Sequence, residues 1–267
     1  MKPWRPSGPM VASVACHVLA VPLLLIDASL WPVVLACLVA DHLLIVGLSL
    51  WPRSRGLGPN LSRLPAGAVA RREVAITIDD GPDPEVTPQV LAVLAEHRVV
   101  VTFFCIGTQA RAHAGLCRAA REAGHDVENH GERHPVLASL MGPGGWRREV
   151  GQGAATLQAI TGQAPRFYRA VAGLRNPWLD PVLHSLGLRL ASWTRRGFDT
   201  RCGEPDVVLR RLLNQLQAGD ILLLHDGHAA RTPSGQPVIV AVLPRLIAAI
   251  RAQGLTPVTL SQACKPN

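Results

Sequence analysis

Lysine is almost missing from this 267-residue chain: of 27 basic residues only Lys2 and Lys265 are lysine, and the rest are arginine. Aromatic residues make up 4% of the sequence, with a single tyrosine. No run of basic residues and no alternation of arginine with aromatics accompanies the formal charge of +8, so no nucleic acid is expected as a partner. The six cysteines are dispersed, with no C-x-x-C pair, and Cys16 and Cys37 fall inside apolar runs. A disulfide scaffold is thereby excluded, but no redox compartment follows. A charged fraction of only 17% with a mean hydropathy of +0.20 excludes a disordered, solvating polypeptide. The 24 glycines and 22 prolines follow no three-residue period, which excludes a collagen-like fibre. What remains is a chain 48% hydrophobic, enough for one large core or two modest ones.

Two long apolar runs stand at the start, over residues 10–26 (MVASVACHVLAVPLLLI) and 33–50 (VVLACLVADHLLIVGLSL). Each approaches the roughly 20 residues that cross a bilayer. Trp31 and Trp51 fall where interfacial aromatics belong. Asp41 and His42, near the middle of the second run, read as a satisfied pair within the membrane rather than a site. The pattern predicts a membrane anchor over 1–52, a helical hairpin held by membrane lipid, and so a cell-membrane location. A cleaved signal peptide, with Lys2 and Arg5 ahead of the first run, is the alternative; no clear small-x-small cleavage site follows it. Lys2 and Arg5 before the hairpin and Arg53, Arg55 and Arg63 after it place both ends in the cytoplasm if both runs span. If the first does not, the side reverses. Residues 53–72, rich in Pro, Gly, Ser and Arg, read as a linker to a domain over 73–267.

That domain alternates strand and helix. Short β-branched or apolar stretches at 73–78, 99–106, 125–129, 167–169, 188–193, 220–224 and 256–260 predict seven strands. Helical patterns separate them, and Gly124, Gly187, Gly219 and Gly254 each fall between a helix and the next strand, where a left-handed cap is wanted. The class predicted is α/β with a parallel sheet, in which ligands bind beyond the carboxyl ends of the strands. Ionisable residues collect at those ends: Asp79 and Asp80, then His130 and His134, Arg169, Asp199, and His225 with Asp226. This convergence points to an enzyme.

Adjacent residues on an extended segment point opposite ways, so Asp79 and Asp80 can divide labour between a proton and a metal. His130 and His134 stand four apart, as neighbours on a helical turn. Two imidazoles and one carboxylate leave open positions on a catalytic Zn, and the same donors suit a non-haem Fe(II) centre.

The segments TIDDGP (77–82), H-x-x-x-H (130–134), RAVAG (169–173), W-to-D (193–199) and LLLHDG (222–227) resemble, in order, the motifs of the polysaccharide deacetylases of the NodB-homology type, carbohydrate esterase family four. The resemblance implies a distorted seven-stranded (β/α) barrel, here preceded by the membrane hairpin, with one divalent metal, zinc foremost. It implies removal of an N-acyl group, acetyl foremost, from an amino sugar; a domain outside the cytoplasm would suit a polymer such as peptidoglycan, and a cytoplasmic one, which the arginine count favours, a lipid-linked sugar. Carried over by position, Asp80, His130 and His134 hold the metal, Asp79 is the general base braced by Arg169, and His225 is the general acid, with Asp199 to orient it. Ala172, through a backbone N–H, and Trp193 fall on the substrate side. Three departures stand out: Gly131 where Ser or Thr is usual, Ala170-Val171-Ala172 in place of a Pro-Pro-Tyr wall, and Arg196 where an acid is common. Arg195 and Arg196 are candidate partners for a phosphate, which an arginine fork suits. A catalytically silent glycan-binding module is the rival reading.

Overall fold

The computed structural model describes residues 3–265; Lys2, counted above toward the charge flanking the first run, lies outside the described residues. Eight short strands form one parallel sheet: β1 (Glu73–Asp79), β2 (Thr102–Cys105), β3 (Asp126–Asn129), β4 (Phe167–Tyr168), β5 (Arg189–Leu190), β6 (Arg195–Arg196), β7 (Ile221–His225) and β8 (Thr256–Val258). The order along the sheet is β5-β4-β3-β2-β1-β7-β6. β8 pairs with the first half of β1, on the edge where β2 has not yet begun. The sheet curls but stays open between β5 and β6, a half-barrel rather than a closed one.

Eleven α-helices accompany it: α1 (Gly8–Ile26), α2 (Trp31–Leu50), α3 (Ala66–Ala70), α4 (Val86–His97), α5 (Gly107–Ala112), α6 (Ala114–Glu122), α7 (Pro143–Thr161), α8 (Leu179–Ser185), α9 (Pro205–Leu213), α10 (Val238–Ala252) and α11 (Leu260–Ala263).

The alternation of side chains along a strand divides the core and aims the site. Val74, Ile76 and Ile78 of β1 and Leu222 and Leu224 of β7 face the helical layer, packing with Val90 and Leu94 of α4 and Leu243 and Ile247 of α10. Ala75 of β1 and Ile221 and Leu223 of β7 face the inside of the curl, with Phe104, Phe167 and Trp193. Asp79 and His225 continue that inner row, and the two stand directly opposite in the β1–β7 register. The carboxyl ends of the strands thus deliver a carboxylate and an imidazole to one mouth.

Four features differ from the sequence reading. An eighth strand forms at Arg195–Arg196, which no apolar pattern marks; parallel pairing to Leu222 and Leu223 holds it. The helical stretch between β2 and β3 is not continuous but breaks at His113 into α5 and α6. Residues 53–72 are no free tether: Leu57, Leu64 and Ala68 are buried, and Leu61 bridges Ala191 at the free edge of β5. Single apolar residues at irregular spacing carry that packing, so no periodicity announces it. Lastly, Asp41 finds its partner on the other helix of the hairpin, where Ser13 donates a 2.8 Å hydrogen bond to it, while His42 Nδ1 lies 2.7 Å from the Leu38 carbonyl.

α1 and α2 are long and apolar enough to cross a membrane and bury few side chains. The end of the hairpin is tied to the domain. Trp4 Nε1 donates to Asp180 at 2.7 Å, and the Arg175 N–H donates to the Ser49 carbonyl in the last turn of α2.

Candidate active site

Where β1 ends, the chain turns sharply. Asp80 adopts φ +75°, a conformation unusual outside glycine, and this swings its carboxylate off the strand toward the third strand's loop. There its Oδ1 lies 3.1 Å from His130 Nε2 and 3.2 Å from His134 Nε2. One ligand atom from each of the three falls within 4.8 Å of the others. Burial alone would raise the Asp80 carboxyl; hydrogen bonds from His130 and then His134 outweigh it and hold the group well below the usual carboxylate range.

The donor set fits a divalent metal in its detail as well as its composition. His130 Nδ1 sits 2.8 Å from the Arg169 carbonyl, which holds a proton on that nitrogen, so that Nε2 is the atom that would coordinate a bound metal. Glu149 Oε1 accepts the backbone N–H groups of Arg133 and His134 at 2.7 and 2.9 Å, pinning the loop that carries the second imidazole. Gly131 belongs to the same device. At φ +87° a Cβ there would meet Glu149 Oε1 at 2.6 Å, so a serine or threonine cannot occupy this position without displacing the pin.

Arg169 is fully buried and makes four contacts through one guanidinium. It donates to Asp79 Oδ1 at 2.6 Å, to Thr77 Oγ1 at 2.7 Å, and to the carbonyls of Ser192 and Ala191 at 2.9 and 3.3 Å. Its charge centre also lies 4.0 Å from the Phe104 ring centroid. Asp79 is thereby fixed on one oxygen, while its Oδ2 lies 3.8 Å from His130 Nε2.

Across the mouth, Asp199 grips His225 twice: Oδ1 stands 2.9 Å from Nδ1, and Oδ2 accepts the His225 backbone N–H at 2.7 Å. Burial would lower the imidazole's pKa. The hydrogen bond and charge of Asp199, joined by the charges of Asp79 and Asp80, prevail and raise it.

The cleft so formed, about 190 Å³, is bordered by Asp79, Asp80, His130, His134 and His225, with Ala172, Trp193 and Arg196 on its rim. A larger cleft of about 850 Å³, between Trp4, Arg55 and Asp180, gathers none of these groups. Of the four residues expected on the substrate side, Arg195 is the one that the cleft does not receive. Its Nε donates to Asp220 at 2.6 Å, and its other nitrogens reach the carbonyls of Asn214 and Gln215. β-strand alternation sends it away from the side that Arg196 occupies. Arg196 stacks 5.6 Å from the Trp193 ring and 5.0 Å from that of Phe198, and its buried Nε has no hydrogen-bond partner. Thr200 and His228 also border the cleft, and sequence reasoning missed both. His228, three residues after His225, carried the only available signal.

Sequence and fold comparisons identify relatives of the chain. The polysaccharide deacetylase family model matches residues 66–191. A chitooligosaccharide deacetylase of Sinorhizobium fredii is 35% identical over 202 residues, covering 73% of this chain and 93% of the relative. A peptidoglycan-N-acetylglucosamine deacetylase of Bacillus cereus is 28% identical over 71% of this chain and 86% of its own. Among solved structures, a peptidoglycan N-acetylglucosamine deacetylase superposes with a TM-score of 0.69 at 25% identity, over 76% of this chain and 92% of that one. A family-four pseudoenzyme from Bacillus anthracis reaches the same score at 21% identity, over 77% and 69%, so the fold by itself does not decide activity. The curled parallel sheet, the ordered motifs at its mouth and these relatives together show that the chain belongs to the polysaccharide deacetylase family, carbohydrate esterase family four.

Proposed function

We propose that this protein is a metal-dependent deacetylase of an N-acetylated amino sugar, held at a membrane by α1 and α2. The convergence of Asp80, His130 and His134 beside a braced Asp79 and an Asp199-held His225 is the observation that carries the reading. Asp80, His130 and His134 would hold the metal, zinc foremost. Such an ion, when bound, polarises an amide carbonyl and acidifies water.

The chain's own residues supply the rest. Asp79, its Oδ1 held by Arg169, accepts the proton of the attacking water on Oδ2. A backbone N–H at Ala172, on the rim, offers a donor to the oxygen that gains charge as the amide carbon becomes tetrahedral. His225, kept protonated by Asp199, gives its proton to the amine nitrogen as the C–N bond breaks, which an amide's poor leaving group requires. Acetate and a free amino sugar leave. Trp193 walls the cleft, and Arg196 stands on the rim for a negatively charged part of the substrate.

The relatives' names point to chitooligosaccharide or peptidoglycan. A lipid-linked sugar is the second reading, favoured by one contact: a Cβ on Gly173, next to Ala172, would lie 2.5 Å from Pro52, two residues beyond the end of α2. The rim of the cleft therefore abuts the point where the hairpin ends. The full chain in detergent, loaded with zinc, is to be offered tetra-N-acetylchitotetraose and a polyprenyl-phosphate-linked N-acetylhexosamine. Released acetate with either supports the proposal, and Asp79→Asn should remove at least about 100-fold of the rate, the lower range for a general base. Full activity of Asp79→Asn would remove the assigned base.

A further inference from the structure

Outside residues 3–51, five large apolar side chains stand exposed among the described residues: Val136 (80%), Leu137 (66%), Leu140 (76%), Trp178 (52%) and Phe198 (48%). Soluble surfaces scatter such residues singly. Four of these five sit instead on two loops, 135–142 and 174–178, that are bonded to each other. Asn176 Nδ2 donates to the carbonyls of Ser139 and Met141 at 2.9 and 2.7 Å, and its Oδ1 accepts from Trp146 Nε1 at 2.8 Å and from the Trp178 backbone at 3.1 Å.

The next residue back along the chain ties this pair of loops to the end of α2. Arg175 donates its backbone N–H to the Ser49 carbonyl, and its buried guanidinium reaches the Ser54 carbonyl. Both loops also leave directly from the cleft, one after His134 and the other after Ala172. Apolar edge, cleft mouth and the end of the hairpin therefore share one region of the surface.

We propose that Val136, Leu137, Leu140 and Trp178 form a membrane-docking edge, which enters the headgroup–acyl boundary of the leaflet where α2 ends and sets the cleft against the bilayer. This rests on the reading of α1 and α2 as membrane spans. Three of the four side chains are aliphatic, with no flat face to stack on a sugar ring, and they suit acyl chains. Trp178 and the exposed Trp51 at the end of α2 match the amphipathic aromatics of a membrane interface. Charge agrees. No acidic residue occurs between positions 43 and 72 or between 133 and 148, whereas Arg53, Arg55, Arg133, Arg147 and Arg148 do, as anionic headgroups favour. A site so seated receives amino sugars carried on lipid at the membrane surface.

The test uses the full chain in nanodiscs of phosphatidylcholine and phosphatidylglycerol, with and without brominated acyl chains, reading tryptophan fluorescence. Bromolipid quenching should fall in Trp178→Phe, and should fall by a similar amount in Leu137→Glu/Leu140→Glu, which lifts the edge while Trp178 remains. Near-ultraviolet circular dichroism of each variant checks that it is folded. Equal quenching in wild type and Trp178→Phe, with the protein retained in the disc, would overturn the docking edge and leave the anchor standing. Protein lost from membranes on an alkaline carbonate wash would overturn both. Discs holding two copies, with Trp178 shielded from bromolipid and from aqueous iodide alike, would assign the edge to a second copy and overturn the lipid proposal.

Discussion

Replacing Arg169 by methionine keeps much of its volume and removes its charge and donors. The side chain is completely buried, and its partner Asp79 is 4% exposed, so no water replaces the lost guanidinium. Removing one member of such a pair leaves an uncompensated buried charge, at a cost of about 3–5 kcal/mol. The carbonyls of Ala191 and Ser192 and the Thr77 hydroxyl lose a donor as well, which pushes the cost toward the upper end. At about 2–4 °C per kcal/mol for a domain of this size, the melting temperature should fall by about 6–20 °C. Arg169→Lys keeps the charge without the fork and should fall between. Metal content should survive both changes, because His130 rests on the backbone carbonyl of residue 169 and not on its side chain. Differential scanning fluorimetry, metal analysis and acetate release on one preparation separate these effects. Arg169→Met with a melting temperature within about 2 °C of wild type and unchanged turnover would refute the bracing of Asp79.

Asp199→Asn should shift the alkaline limb of the pH–rate profile to lower pH, because the charge and hydrogen bond that raise the His225 pKa are lost; an unmoved limb would remove His225 as the acid. Glu128, whose Oε2 accepts the backbone N–H groups of Arg166 and Phe167, is pushed up to about 8 by burial. Its folded pKa lies above its unfolded value of 4.5, so its contribution is full below that value and is lost as pH rises to about 8. At about 1.4 kcal/mol per pH unit the loss is bounded near 5 kcal/mol. Thermal melts from pH 5 to 8 should therefore fall less steeply in Glu128→Gln, and parallel curves would contradict this. Gly131→Ser should destabilise, since φ +87° and the contact with Glu149 both oppose a side chain, and metal affinity measured by competition with a chelator should fall with it. If α1 and α2 both span the bilayer, a fluorescent protein fused after residue 267 should fluoresce; a dark but translocated fusion reverses the sidedness drawn from Arg53, Arg55 and Arg63.

Much of the mouth was readable because it lies at places where patterns change. The apolar strand into Asp79 stops at two acids and a Gly-Pro, and the run from Ile221 stops at His225 and Asp226. These breaks mark strand ends, and strand ends mark the site. What was not readable depends on three-dimensional partners. Nothing local shows that Arg195 is engaged by Asp220 while its neighbour Arg196 faces the cleft; that follows from the register of a two-residue strand. Leu61 and Leu64, sitting alone among Pro, Gly and Arg, look like linker residues until the open edge of β5 and the inner core are there to receive them. His113 gives no helix-breaking signal in the sequence, yet its φ of −129° divides α5 from α6.

The most direct measurement is anomalous diffraction from crystals of the full chain grown with zinc. A single strong peak bonded to Asp80, His130 and His134, with imidazole nitrogens and a carboxylate oxygen at about 2.0–2.2 Å, is the expected result. No peak there, or zinc only at the other cluster of possible ligands, His17, Asp41 and His42 in the hairpin, would contradict it.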